Sequence, residues 1–255
     1  MNASLLTIIM WALLVTSPVV SRNHAGPSVR QPQQSATVTP AETDRIVSAF
    51  TNKETEFRTA LAQYSFKRDV VVQTIGAGGQ VSGEYHRISR LIFEAGGKRI
   101  EKILSFPMPT VSAIGISMED LDELGGVQLF ALEASKAPLY NFKYVGKERI
   151  DELDLHVFDV SPKALPDPKR VKERFFQGRI WVDTQDYQIV KTRGKGMPEP
   201  KNNPYPTLEI YREDIDGAWF PTYAYADEEL ILPSGYPLKI RMRVRFSEFE
   251  KVTRK

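Results

Sequence analysis

The side chains able to do chemistry in this 255-residue chain are few in kind. Cysteine is absent, which excludes disulfides, thiolate nucleophiles and Cys-ligated zinc. Histidine occurs at His24, His86 and His156. None has a second histidine at HxH or HxxxH spacing, so no local pair of metal ligands exists. His86 and His156 read as strand residues at a surface or a core edge, and neither a metal nor another cofactor is expected. A hydrolase of the Ser-His-Asp kind built on a nucleophile elbow needs GxSxG, which the chain lacks. Carboxylates do cluster, at Asp151/Glu152/Asp154, at Asp183/Asp186 and at Asp227/Glu228/Glu229. Glycoside hydrolysis needs two acids facing each other across a cleft. Each set here lies in or beside a turn, where acids shape and solvate the backbone. Gly76-Ala77-Gly78-Gly79 lacks the dinucleotide spacing and precedes a strand, and Gly97-Lys98-Arg99 lacks the rest of a phosphate loop. The reading is a non-enzyme.

Charge narrows the partners. Lys and Arg number 34 against 32 Asp and Glu, a net +2 that is too balanced for a dedicated nucleic-acid binder. One local feature stands out. From Pro237 to Phe246, Leu238, Ile240, Met242, Val244 and Phe246 alternate with Lys239, Arg241, Arg243 and Arg245. Period two places the five apolar residues on one face of a strand and the four cations on the other. Burying those five side chains is worth about 10 kcal/mol before entropy is counted. The cations suit either a solvated face beside acids such as Glu209 and Glu213, or contact with anionic lipid headgroups or an acidic partner.

The elements that must carry these residues are one helix and many strands. Thr39-Pro40-Ala41-Glu42 reads as a capping box with proline in the first turn. Ile46, Phe50, Phe57 and Leu61 then follow one stripe, which predicts an amphipathic helix from about Pro40 to Gln63. Strand patterns cover Phe66 to Ile75, Val81 to Phe93, Arg99 to Phe106, Asn141 to Ile150, Leu153 to Val160, Phe175 to Val182, Gln188 to Thr192, Leu208 to Ile215, Trp219 to Ala226 and the ladder above. Gly-rich or Asp-rich turns join many of them, as in an antiparallel meander. Ser117 to Gly126 predicts a short second helix, and Pro162 to Lys172 and Gly196 to Pro206 are proline-rich loops.

The two ends read differently. Residues 1–21 carry no charged side chain and hold an apolar run from Leu5 to Val15, which suits an export signal cleaved near Ser21. That implies a periplasmic or secreted protein. Residues 22–38 are a polar flexible leader, 39–250 a single domain, and 251–255 a basic tail.

A curled sheet of about ten strands has an apolar concave face that its own side chains need not fill, and a helix can stopper it. Ile46 to Tyr64 followed by Asp69-Val70, the strand Gly178 to Asp183 with Trp181-Val182-Asp183, Ile189-Val190-Lys191 and Trp219-Phe220-Pro221-Thr222 carry a resemblance. Together they resemble the outer-membrane lipoprotein-sorting proteins, the superfamily of the periplasmic lipoprotein carrier and its receptor (LolA/LolB-like). The resemblance implies a mainly β, α+β fold: a single antiparallel half-barrel whose concave face is covered by the N-terminal helix and the short second one. It also implies an apolar cavity for a lipid, an acyl chain or an acylated lipoprotein. The expected ligand-facing set is Trp181, Leu238, Ile240, Met242, Val244 and Phe246 on the sheet, with Phe50, Phe57 and Leu61 as lid. Lys239, Arg241, Arg243 and Arg245 are the expected headgroup or partner contacts. The alternative is an envelope interaction scaffold with a packed barrel, similar to periplasmic regulators of this fold that bind an anti-sigma factor. A secreted hydrolase would require a His-carboxylate or two-carboxylate cleft.

Overall fold

The computed structural model describes residues 38–93, 99–112, 132–165, 174–199 and 206–252. The expected export signal, most of the leader, the glycine turn at 95–98, the short second helix, parts of both proline-rich loops and the last three residues lie outside the described residues.

Helix α1 runs Pro40–Leu61, started by the Thr39 side chain, which accepts the Glu42 amide at 3.2 Å. Ten strands follow: β1 (Tyr64–Ile75), β2 (Val81–Phe93), β3 (Arg99–Ser105), β4 (Tyr140–Ile150), β5 (Leu153–Pro162), β6 (Phe175–Asp183), β7 (Ile189–Met197), β8 (Leu208–Ile215), β9 (Ala218–Ile231) and β10 (Pro237–Lys251). Several outrun their sequence signals, because the ladder continues wherever a neighbour offers backbone groups. Thus β5 reaches Pro162 and β7 reaches Met197, one end of each expected proline-rich loop.

All ten strands form one antiparallel open, curled sheet in the order β3-β2-β1-β10-β9-β8-β7-β6-β5-β4. The expected meander holds within β1–β3 and within β4–β10, but the two runs are joined by β1 pairing with β10. Strands β3 and β4 are therefore the two edges, and the chain between them passes from one side of the sheet to the other. A connection that long sets no hairpin register, so the pairing of first strand with last was not written in local turns.

Register sorts side chains onto two faces. One row runs Arg87, Val70, Val244, Ala224, Ile210, Thr192, Ile180, Phe158, Tyr144 from β2 to β4. One residue along, the row reads His86, Val71, Arg243, Tyr225, Glu209, Arg193, Arg179, Asp159, Lys143. The first row is the core face and the second is dominated by charge. Helix α1 packs on the core face: Phe57 and Leu61 join a cluster with Val244, Phe246 and Phe220, while Ile46 and Phe50 join one with Phe158, Ile180 and Val182.

Candidate functional site

The apolar face under α1 is built by period two meeting a 3.6-residue stripe. Ile240, Met242, Val244 and Phe246 of β10 are buried, and Leu238 is partly buried against the same cluster. Above them, Phe57 sets its ring 6.0 Å from that of Phe220, and Leu61 is wholly buried. Phe50 lies nearer the β4 end, 5.5 Å from Phe142 and 5.7 Å from Phe158. Eight of the nine expected ligand-facing residues thus meet at one face of the sheet, where they are engaged in packing with one another and their neighbours.

Trp181 is not among them. It lies on the opposite face in a small cluster with Leu155, Val157 and Val190, donates to Glu148 at 2.7 Å, and has the Lys191 ammonium 4.8 Å from its ring. Its neighbours in β6, Ile180 and Val182, are the ones that face α1. Period two carried the sign: Trp181 shares its parity with polar Gln177 and Arg179, whereas Phe176, Ile180 and Val182 take the other face, and the local apolar run at 180–182 masked it.

Charges inside the core face are the residues that sequence reasoning passed over. Glu54 falls on the α1 stripe between Phe50 and Phe57, and Arg212 continues the inward alternation of Leu208 and Ile210. They meet: Arg212 donates through both terminal nitrogens to the two Glu54 oxygens at 2.6 and 3.0 Å, with both side chains at most 2% exposed. The guanidinium also lies 4.5 Å over the Phe57 ring. Arg68 and Arg87 take inward positions of β1 and β2, and both reach Glu101 of β3, at 3.3 and 3.2 Å. A charged residue at a position the pattern reserves for an apolar one was the available signal.

The cation ladder is divided by its surroundings. Lys239 and Arg241 clamp Asp227 of β9 at 2.6 and 2.9 Å. Those two partners, Lys239 first, hold its carboxyl well below the usual carboxylate range, at about 2. The expected neighbours Glu209 and Glu213 do not sit on a strand adjacent to β10, since β9 intervenes, and Glu209 instead pairs with Lys191 at 2.6 Å. Arg243 and Arg245 are exposed and make no ion pair among the described residues.

The remaining reactive groups are dispersed. His86 Nε2 pairs with Asp69 at 2.9 Å, and among the described residues no hydroxyl bonds to the other ring nitrogen. His156 is buried, which is the main reason its pKa falls; Lys147 adds to the effect, and Tyr144 lies 3.3 Å from Nδ1. Asp183 caps its own turn by accepting the Gln185 and Asp186 amides at 2.6 and 3.2 Å. Glu228 accepts from the Thr207 amide at 2.7 Å. Among the described residues no cluster of three His, Asp or Glu could hold a metal, and no helix is long and apolar enough to cross a membrane.

No family model and no curated protein matches the chain. Solved structures do. An outer membrane lipoprotein-sorting protein domain from Vibrio parahaemolyticus is 12% identical, with a TM-score of 0.44 over 81% of this chain and 94% of that one. A DUF1329 family protein from Desulfovibrio piger is 16% identical, with a TM-score of 0.41 over 80% and 92%. A LolA superfamily protein from Nitrosomonas europaea is 16% identical, with a TM-score of 0.38 over 81% and 95%.

Proposed function

We propose that this protein is a non-enzymatic binding protein of the periplasm or secreted space. It holds a lipid, an acyl chain or a lipidated partner against the core face beneath α1, in the manner of outer-membrane lipoprotein sorting. The supporting observation is how α1 is attached. Its backbone hydrogen bonds are its own, so lifting it breaks no ladder; a stripe of apolar side chains pinned by the Glu54–Arg212 pair holds it to the sheet, and Arg58 on Glu133 and Thr55 on the Ala134 amide hold it to the segment before β4. An acyl chain offers that face the same dispersion and desolvation that Phe50, Phe57 and Leu61 supply. Met242, with its flexible thioether, suits a wall that must repack.

The test is uptake of a fluorescent fatty-acid probe by the full chain. Val244→Glu puts a charge in the wall and is expected to abolish uptake. Glu54→Gln loosens the pin and is expected to speed it. Unchanged probe affinity in folded Val244→Glu, or no uptake by the unaltered chain, overturns the reading. Native mass spectrometry of protein from its own envelope then identifies the lipid carried.

A second reading has its own support. Arg243 and Arg245 present two cations without ion-pair partners among the described residues, on the face away from α1. A scaffold that docks an acidic envelope partner there would need no cavity. Charge reversal at Arg243 that removes a partner without altering probe uptake would favour it.

A further inference from the structure

Strands β9 and β10 do not stay paired. Their ladder runs from Pro237 opposite Ile231 to Arg245 opposite Tyr223 and stops there. Beyond it β10 continues on β1, with Ser247 opposite Lys67, and β9 continues on β8, with Phe220 opposite Glu213. Two irregularities cause the parting. The β8–β9 register shifts after Tyr211, leaving Thr222 out of the pairing, and the β1–β10 register shifts at Ser65/Lys67, where Glu248 takes a φ of 53°. Bulges of this kind end pairing and re-aim side chains.

The parting opens a cleft of about 430 Å³ whose walls include Lys67, Asp69, Glu213, Thr222, Tyr223 and Arg245. On the α1 side the gap is shut by Phe249, its ring 5.3 Å from Phe220. Two of the charges are spoken for within the sheet: Lys67 pairs with Glu248 at 2.8 Å, and Asp69 with His86 at 2.9 Å. Arg245 and Glu213 make no ion pair among the described residues, and the buried Thr222 hydroxyl has no hydrogen-bond partner among them. A guanidinium and a carboxylate therefore line one cleft from β10 and β8, two strands apart; Tyr223 of β9 is opposite Arg245, and Glu213 lies two residues beyond Tyr211, the β8 partner of Tyr223. Two strand spacings, with a two-residue offset along the strand, set the two backbone positions about 12 Å or more apart. The charges of an α-amino acid sit too close together to span this; a phosphate joined to an ammonium through a short carbon link reaches further.

We propose that the cleft between β9 and β10 binds a zwitterion of the phosphoethanolamine type, its phosphate on Arg245 and its ammonium on Glu213, beside the Tyr223 ring. Arg presents paired donors to phosphate oxygens, and an ammonium is attracted to a tyrosine face. The site is on the face away from α1 and does not depend on the acyl-chain reading.

Isothermal titration of the full chain with O-phosphoethanolamine, inorganic phosphate and ethanolamine tests it. Phosphoethanolamine is expected to bind about tenfold or more tighter than either fragment, and Arg245→Gln and Glu213→Gln each to weaken it about tenfold. Both positions are exposed on strands, so circular dichroism should stay unchanged. No binding of phosphoethanolamine, binding that neither variant alters, or phosphate alone binding as tightly, overturns the proposal. Sedimentation with vesicles of phosphatidylethanolamine against phosphatidylcholine separates the sources. Retention lost in Arg245→Gln assigns a lipid headgroup, and binding of the free zwitterion alone assigns a soluble ligand. The soluble probes have no acyl chain, so their failure leaves fatty-acid uptake untouched.

Discussion

The Glu54 carboxylate and the Arg212 guanidinium are a buried pair whose worth is asymmetric. Removing one partner strands the other in an apolar wall, a loss of about 3–5 kcal/mol, whereas replacing both with apolar residues is close to neutral. Urea denaturation of Glu54→Leu, Arg212→Met and the double variant should show two large losses and a double variant more stable than either. A simply additive double variant would mean the pair does not pin α1. Asp227 makes a pH-dependent counterpart on the other face. Its folded pKa of about 2 lies below the ordinary 3.8, so its contribution is present above pH 3.8 and is lost as pH falls toward 2. Asp227→Asn should flatten that part of the acid denaturation curve, and an unaltered acid limb would show that Lys239 and Arg241 do not stabilise the fold through it.

Among the elements, α1 and the sheet differ in kind. A central strand such as β10 is bonded on both sides, to β1 and to β9, while α1 touches the sheet through side chains. Local opening should therefore reach α1 first. Hydrogen exchange followed by mass spectrometry is expected to show α1 amides exchanging faster than those of β1 and β10. Equal protection would make α1 a fixed part of the core rather than a lid. The edges differ as well. Strand β4 carries Lys143 and Lys147 and a bulge at Val145, devices that discourage pairing with another chain. Strand β3 instead exposes Ile103 and Leu104 and leads into exposed Phe106.

At the scale of the molecule, the sheet joins the two ends of the domain: the strand after α1 pairs with the last strand, and these lie inside the sheet rather than at its rim. Helix α1 and the strand β10 that it packs on thus come from opposite ends of the domain. Loading and release of an acyl chain would act on both at once, which is why the Val244→Glu and Glu54→Gln outcomes bear on one mechanism from two sides. The cleft proposed for a zwitterion lies where β9 and β10 part, away from the face that α1 covers, so the two proposals can be tested independently.

The Thr39 N-cap, the α1 stripe and the alternation along β10 were legible in the residues themselves, because each is a local signal that local backbone geometry must satisfy. So were all ten strands, and with them the mainly β class. What local periods cannot carry is which strand meets which. The β9–β10 pairing placed Asp227 rather than Glu209 or Glu213 beside the cations, and the apolar run Ile180-Trp181-Val182 hid that Trp181 turns away from α1. Glu54 and Arg212 were each visible as breaks in an apolar pattern, yet their meeting across 158 residues of chain exists only once the helix lies on the sheet. Periodicity follows from the covalent chain; a buried charge finds its partner through distance in space, which folding alone sets.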